Sequence, residues 1–265
     1  MSEYSIHTYN RLSILILQDG FSFLVLNEYQ TPLVFENFKL EATSSASELL
    51  KLLRSKINSQ FLNYYGIKEL EVIYGNPQFS IVPQEYFEES HLPHYLKYSS
   101  KLIEGDDFSY DGIQSIQANT VYIPYININN YLFDEFGSFK FTHLVSGLAE
   151  NGYEERSISA EYLKIHVCKN QFYLTAFKNQ KLQLANAFSF ETAEDFAYYV
   201  LFSIEELNFN REDLIIDFTG NFYNSENNIA FTILSTYIRH MHFKNKEDLS
   251  GFSFKEGFNE HFNLV

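Results

Sequence analysis

The stretches beginning at Leu12 and Leu163 repeat one pattern, and a chain that carries the same unit twice is restricted to folds with two similar halves. The first reads Leu-Ser-Ile-Leu-Ile-Leu-Gln-Asp-Gly-Phe-Ser-Phe-Leu-Val-Leu. The second reads Leu-Lys-Ile-His-Val-Cys-Lys-Asn-Gln-Phe-Tyr-Leu-Thr-Ala-Phe. Laid over each other without a gap, they match Leu12 with Leu163, Ile14 with Ile165, Ile16 with Val167, Phe21 with Phe172 and Phe23 with Leu174. Apolar residues alternate, break at a short polar step, and alternate again, which predicts a β-hairpin in each copy. Asp19-Gly20 is expected to supply turn residues that accept positive φ, and Asn170 to do so in the second copy.

The order of elements then repeats. A third strand is predicted over Leu33 to Leu40 and again over Leu182 to Phe190, where Phe38-Lys39-Leu40-Glu41 matches Phe188-Ser189-Phe190-Glu191. A helix start follows each: Ser45 with Glu48 has capping-box spacing, and Thr192 with Asp195 is a weaker form of it. Leu49, Leu52, Leu53 and Ile57 form one apolar stripe, and Phe196, Tyr199, Val200 and Ile204 form the other. A buried strand closes each unit, Leu70 to Tyr74 before Gly75-Asn76, and Leu214 to Thr219 before Gly220-Asn221. The first copy carries an insertion: a strand over Phe79 to Pro83, a polar stretch, an acidic loop from Gly105 to Gly112, a strand over Val121 to Ile126 and a helix from Asn130 to Phe136. Asn151 to Ser159 reads as a linker. The second copy goes on to a helix over Ile229 to Ile238, a strand over His240 to Phe243 and an irregular tail. These signals predict an α/β fold of two halves, residues 1–155 and 156–265.

Composition narrows the partners. A formal net charge of −15 disfavours phosphate backbones and anionic membrane surfaces, so neither nucleic-acid binding nor membrane insertion is expected. The 27 Phe and 20 Tyr read as biased core composition rather than a base-stacking platform. A single cysteine, Cys168, excludes an intrachain disulfide and fits a reducing cytoplasm; its apolar surroundings make it a core residue rather than a nucleophile. No basic segment followed by an apolar one opens the sequence, so a signal peptide is not expected.

Three strands, a helix, a strand and a helix, present twice, resemble the plan of the actin-like ATPase fold, which belongs to the ribonuclease-H-like class. The hairpin turn, the aromatic richness and the Phe79-Ser80-Ile81-Val82-Pro83 strand are similar to those of a bacterial family with a duplicated actin-like fold and no assigned activity. The resemblance implies that active actin-like ATPases would place Asp-x-Gly at each hairpin turn. There the glycine admits phosphates to backbone amides, and the aspartate organises magnesium and its water. It also implies a Gly-Gly pair beside the adenosine. This chain departs from that pattern. Its first turn is Gln18-Asp19-Gly20, with the acid displaced by one residue. Its second is Lys169-Asn170-Gln171, with neither residue, and its adenosine-side strand ends Thr219-Gly220-Asn221. Asp19, Gly20, Ser22 and Gly220 are therefore candidate remnants of a nucleotide cleft.

Other constellations are weaker. His240 and His242 share one strand face, with His261 and Glu260 as the only further ligands to hand. Glu88, Glu89, His91 and His94 lack the His-Glu-x-x-His pattern and are interrupted by Pro93. Ser146-Gly147 lacks a nucleophile elbow. Asp106-Asp107 falls in a polar loop with nothing to raise a pKa. No Walker or Rossmann glycine loop occurs. The expected function is a non-catalytic, cytoplasmic interaction or scaffold protein that binds another protein and needs no cofactor. The alternatives are a nucleotide-binding protein or weak ATPase using ATP with magnesium, and a small-ligand binding protein.

Overall fold

Alternating apolar residues become a meander in each half of the sequence. The protein is seen in a computed structural model that describes residues 9–40, 45–98, 100, 102, 105–155, 161–222, 227–243 and 255–265. Strands β1 (Asn10–Leu17), β2 (Gly20–Leu26) and β3 (Pro32–Lys39) run antiparallel. Helix α1 (Ala46–Lys56) starts at a full capping box: the Glu48 amide donates to the Ser45 side chain, and the Ser45 amide donates to the Glu48 carboxylate at 2.7 Å. Its first turn carries Glu48 and its last Arg54 and Lys56, charges that suit the helix dipole. Helix α2 (Ser59–Tyr64), capped by Asn58, leads into β4 (Ile67–Gly75), which runs parallel to β1.

The insertion follows as β5 (Phe79–Pro83), α3 (Leu92–Leu96), β6 (Ser109–Ile113) and β7 (Ala118–Tyr122). Then come α4 (Ile126–Phe136), β8 (Lys140–His143) and α5 (Leu144–Glu155). The second copy runs β9 (Glu161–Val167), β10 (Gln171–Lys178), β11 (Lys181–Ser189) and α6 (Ala193–Glu206). It ends with β12 (Ile215–Gly220), α7 (Ile229–Ser235), β13 (His240–Phe243) and α8 (Phe258–Phe262). The two five-stranded sheets have equivalent orders, β3-β2-β1-β4-β8 and β11-β10-β9-β12-β13. A smaller sheet, β5-β7-β6, belongs to the insertion.

The repeat holds at the level of single pairs. Ile14 faces Phe23 and Ile16 faces Phe21 across the first hairpin, as Ile165 faces Leu174 and Val167 faces Phe172 across the second. The chain forms two compact units, one of Met1–Gly75 with Pro124–Thr142, the other of Asn76–Ile123 with His143–Val265.

Several expectations change. Gln18 and Asp19 make the first turn, and Gly20 opens β2 with φ of +149°. Asn170 does not adopt positive φ. Instead Asn179 and Gln180, between β10 and β11, take +49° and +66°, the conformation a two-residue hairpin with right-handed twist requires. The Gly-Asn endings match in sequence but not in register: Gly75 lies beside Leu17, whereas Gly220 lies beside Val167, one position earlier in the repeat. Only Gly220 of the two has positive φ, +81°. The polar stretch before Leu96 holds α3, because Pro93 in a first helical turn removes no hydrogen bond that the helix needs. Ser109 to Gly112, read as loop, belongs to β6, and 151–155, read as linker, complete α5. The predicted tail contains α8, whose five residues are all buried. Glu41 and residues 156–159 lie outside the described residues.

In the second unit the sheet packs against α6 and α7 through phenylalanine. Phe196 and Phe222 stack at 5.1 Å, Phe218 and Phe222 at 4.4 Å, and Phe218 and Phe243 at 5.7 Å between ring centroids. Phe218 lies at the middle of this stack and is fully buried. Phe218→Ala is expected to cost about 3–5 kcal/mol of folding stability, read by urea denaturation.

Candidate functional site

The first hairpin turn is built by its own sheet. A Cβ added to Gly20 would sit 2.0 Å from the Phe38 carbonyl oxygen, so glycine is required there by β3 alone. The Asp19 carbonyl accepts the Leu40 amide at 2.8 Å, which ties the turn to the end of β3. Ser22 is buried on β2, paired with Leu15 and Asn37. Asp19, Gly20 and Ser22 thus come together at one turn of the first unit. Gly220 belongs to the second.

At Gly220 the same explanation applies. An added Cβ would lie 2.3 Å from the Val167 carbonyl oxygen, and the Asn221 amide donates to that oxygen at 2.7 Å. Beside it, at the carboxyl ends of β9 and β12, is a cavity of about 240 Å³. Phe190, Phe196 and Phe222 line it together with Cys168, Lys169 and Asn221. This is smaller than the roughly 300–1,000 Å³ usual for small-molecule sites. Cys168 is buried, as its surroundings predicted.

The covered polar face of the second sheet was not foreseen. Tyr162, Lys164 and His166 alternate along β9 with the core residues Leu163, Ile165 and Val167, and all are buried. Lys164 Nζ lies 2.6 Å from Glu155 Oε2. The Tyr162 hydroxyl reaches both Glu155 and Asp217 at 2.8 Å. Asp217 Oδ1 in turn accepts from His242 Nδ1 at 3.0 Å. Burial and the two neighbouring carboxylates push the Tyr162 hydroxyl far above its ordinary pKa. His166 Nδ1 and the Thr219 hydroxyl are hydrogen-bonded at 3.0 Å, and burial lowers the pKa of His166 to about 4. A signal did exist: the repeat sets Lys164 on Ser13 and His166 on Leu15, and both first-copy residues are buried.

A second polar cluster sits at the start of α5. The Asp111 carboxylate accepts the His143 amide at 2.7 Å, the Ser146 hydroxyl at 2.6 Å and the Tyr122 hydroxyl at 3.0 Å. The His143 ring accepts the Val145 amide at Nδ1 and donates from Nε2 to the Asn76 carbonyl at 3.0 Å. Both ring nitrogens are used by the neutral form, and burial lowers the pKa to about 3. Ser146, in the first turn of α5, donates its hydroxyl to Asp111 and so ties the start of the helix to β6.

The histidine pairs do not gather ligands. His242 is engaged by Asp217, and His91 and His94 pack ring to ring at 5.4 Å. Among the described residues, no three His, Cys, Asp or Glu side chains are grouped so as to hold a metal ion. Among the same residues, no helix is long and apolar enough to cross a membrane.

Residues 2–241 match the family described as protein of unknown function DUF3822. The chain belongs to that family. DUF3822 covers both copies of the repeat as far as β13. No curated protein matches the chain. Among solved structures, a Bacteroides thetaiotaomicron protein with actin-like ATPase fold and unknown function superimposes with a TM-score of 0.77 at 21% identity, over 92% of this chain and 93% of that one. The PilM–PilN type IV pilus biogenesis complex gives a TM-score of 0.56 at 10% identity, over 89% and 88%. The DUF3822 chain has the actin-like ATPase fold.

Two outcomes follow from the geometry. Gly220→Ala is expected to cost about 1–3 kcal/mol through strained φ and the Val167 carbonyl, measured by denaturation without any nucleotide. The buried histidines set an acid limit. Unfolded, both titrate near 6.5; folded, they stay neutral down to about 3 for His143 and about 4 for His166. The unfolded chain therefore binds more protons below pH 6.5, and stability falls as pH falls, by about 1.4 kcal/mol per pH unit for each histidine. Denaturation midpoints from pH 7 to 4 should show this slope, and His166→Gln should flatten it.

Proposed function

We propose that the chain is a non-catalytic actin-like-fold protein that acts in the cytoplasm as an interaction or scaffold protein. The observation that carries this reading is the state of the two hairpin turns. Phosphoryl transfer depends on positioned charge and a bound metal. Asp19 stands one place from the position that active relatives use, and Lys169-Asn170-Gln171 offers no carboxylate. The glycines that remain are accounted for inside their own sheets: Gly20 faces Phe38 and Gly220 faces Val167. Partner binding as the use of this fold has a parallel in PilM, which forms a complex with PilN. A net charge of −15 favours a basic protein partner over nucleic acid or an anionic membrane.

A second reading rests on the cavity at the ends of β9 and β12. Lys169 at that cavity could meet a phosphate, and the three phenylalanines could pack a base or another small ring. In that case ATP with magnesium, or a small apolar ligand, would be the cofactor.

A thermal-shift series with ATP, ADP and magnesium decides between the readings. A ligand at a hundred times its dissociation constant adds about 2.7 kcal/mol. The expected result is no shift with any nucleotide and no hydrolysis above background. Magnesium-dependent hydrolysis lost in Asp19→Asn would overturn the proposal.

A further inference from the structure

Helix α6 has one face in the core and another that nothing in its own unit explains. Phe196, Val200 and Ile204 are buried against the sheet. On the opposite side Tyr198 is 59% exposed and Phe202 44% exposed. The two are one helical turn apart and their rings stack, with centroids at 5.7 Å and planes 18° apart. A residue every 100° places Glu194 and Glu205 along one side of this pair and Glu206 along the other. The helix carries no lysine or arginine.

The placement of Glu205 and Glu206 works against the helix itself. The carboxyl end of a helix is the negative end of its dipole, and carboxylates there are unfavourable. The last turn contains no basic residue to offset them. Arg211 reaches Glu205 only at 3.8 Å, between exposed groups. Helix α1, which begins at the equivalent point of the first copy, ends with Arg54 and Lys56 as the dipole prefers. The second copy thus gives up local stability at the same end where it exposes two aromatic rings.

We infer that the Tyr198–Phe202 face of α6 docks a basic amphipathic segment of a partner protein. This rests on the reading of the chain as an interaction protein and names the chemistry of its partner. Aromatic rings supply apolar area at low entropic cost and accept lysine or arginine over their faces. The flanking carboxylates select cationic side chains and speed encounter. An acidic or neutral partner would leave Glu194, Glu205 and Glu206 uncompensated as the aromatic face is covered.

The test uses the whole chain and a synthetic leucine–lysine peptide that forms an amphipathic helix. Binding is followed by fluorescence anisotropy of labelled peptide, with an acidic peptide of the same apolar pattern as control. The wild type is expected to bind the basic peptide and not the acidic one. Tyr198→Ala with Phe202→Ala should weaken binding about tenfold or more, with little change in melting temperature because both side chains are exposed. Glu205→Gln with Glu206→Gln should weaken binding and raise the melting temperature, a pairing that a purely structural role would not give. Equal binding to the aromatic double variant would place the peptide elsewhere on the acidic surface and overturn the inference. So would absence of binding to the wild type. Either failure leaves untouched the reading of the hairpin turns, which the nucleotide series tests separately.

Discussion

Lys164 carries an ammonium group into the covered face of the second sheet, and much of the second unit is arranged around that burial. Removing such a charge from water costs several kcal/mol unless a partner and further hydrogen bonds are in place. Glu155 provides them at 2.6 Å, with Tyr162 bridging to Asp217. Glu155 is the last described residue of α5, so the ion pair ties this part of the helix to β9. Its beginning is fixed by the Asp111 carboxylate on β6 and by the neutral ring of His143. Between the two, Gly152 has room for no side chain, since a Cβ would come 2.8 Å from the Phe177 ring. One helix is thereby held at both ends and pressed onto β10 in the middle. Through it the inserted three-stranded sheet and the second five-stranded sheet become one unit.

What could be read in advance follows from this. The hairpins, the capped helices at Ser45 and Thr192, and the phenylalanine core on one face of β9 all leave a periodic or local mark in the sequence. The opposite face of β9 leaves the same mark as a solvent-facing strand, because Lys164 and His166 alternate with Leu163, Ile165 and Val167. Within the second copy alone, only the cover supplied by α5 and α8 distinguishes the two cases, and a helix of five residues such as α8 has too few turns to announce itself. Asp111 was hidden for a related reason. It lies among acidic residues typical of a loop, and its role depends on a helix over thirty positions away in the chain.

The packing reasons for the turn glycines could not be read in advance. The residues at the turns were identified from the repeat. Their reasons for being there, two carbonyl oxygens that approach within the volume of a methyl group, belong to strand pairing and have no sequence signature. Of Asp19 and Gly20, both expected in the turn, the acid lies within it and the glycine opens the strand. Packing within each sheet thus accounts for the two turn glycines, while the buried polar groups Asp111, His143 and Lys164 contact α5.

The one-residue offset between Gly75 and Gly220 carries a separate meaning. The hairpin pairs of the two copies still correspond residue for residue, whereas the strand ends no longer do. Correspondence has lasted where each copy must satisfy its own core and has lapsed at the rim. The two strand ends are therefore held by different local constraints, Gly220 at positive φ and Gly75 not. A substitution that suits the end of β4 says nothing about its counterpart at the end of β12, and relatives of this chain are best compared there half by half.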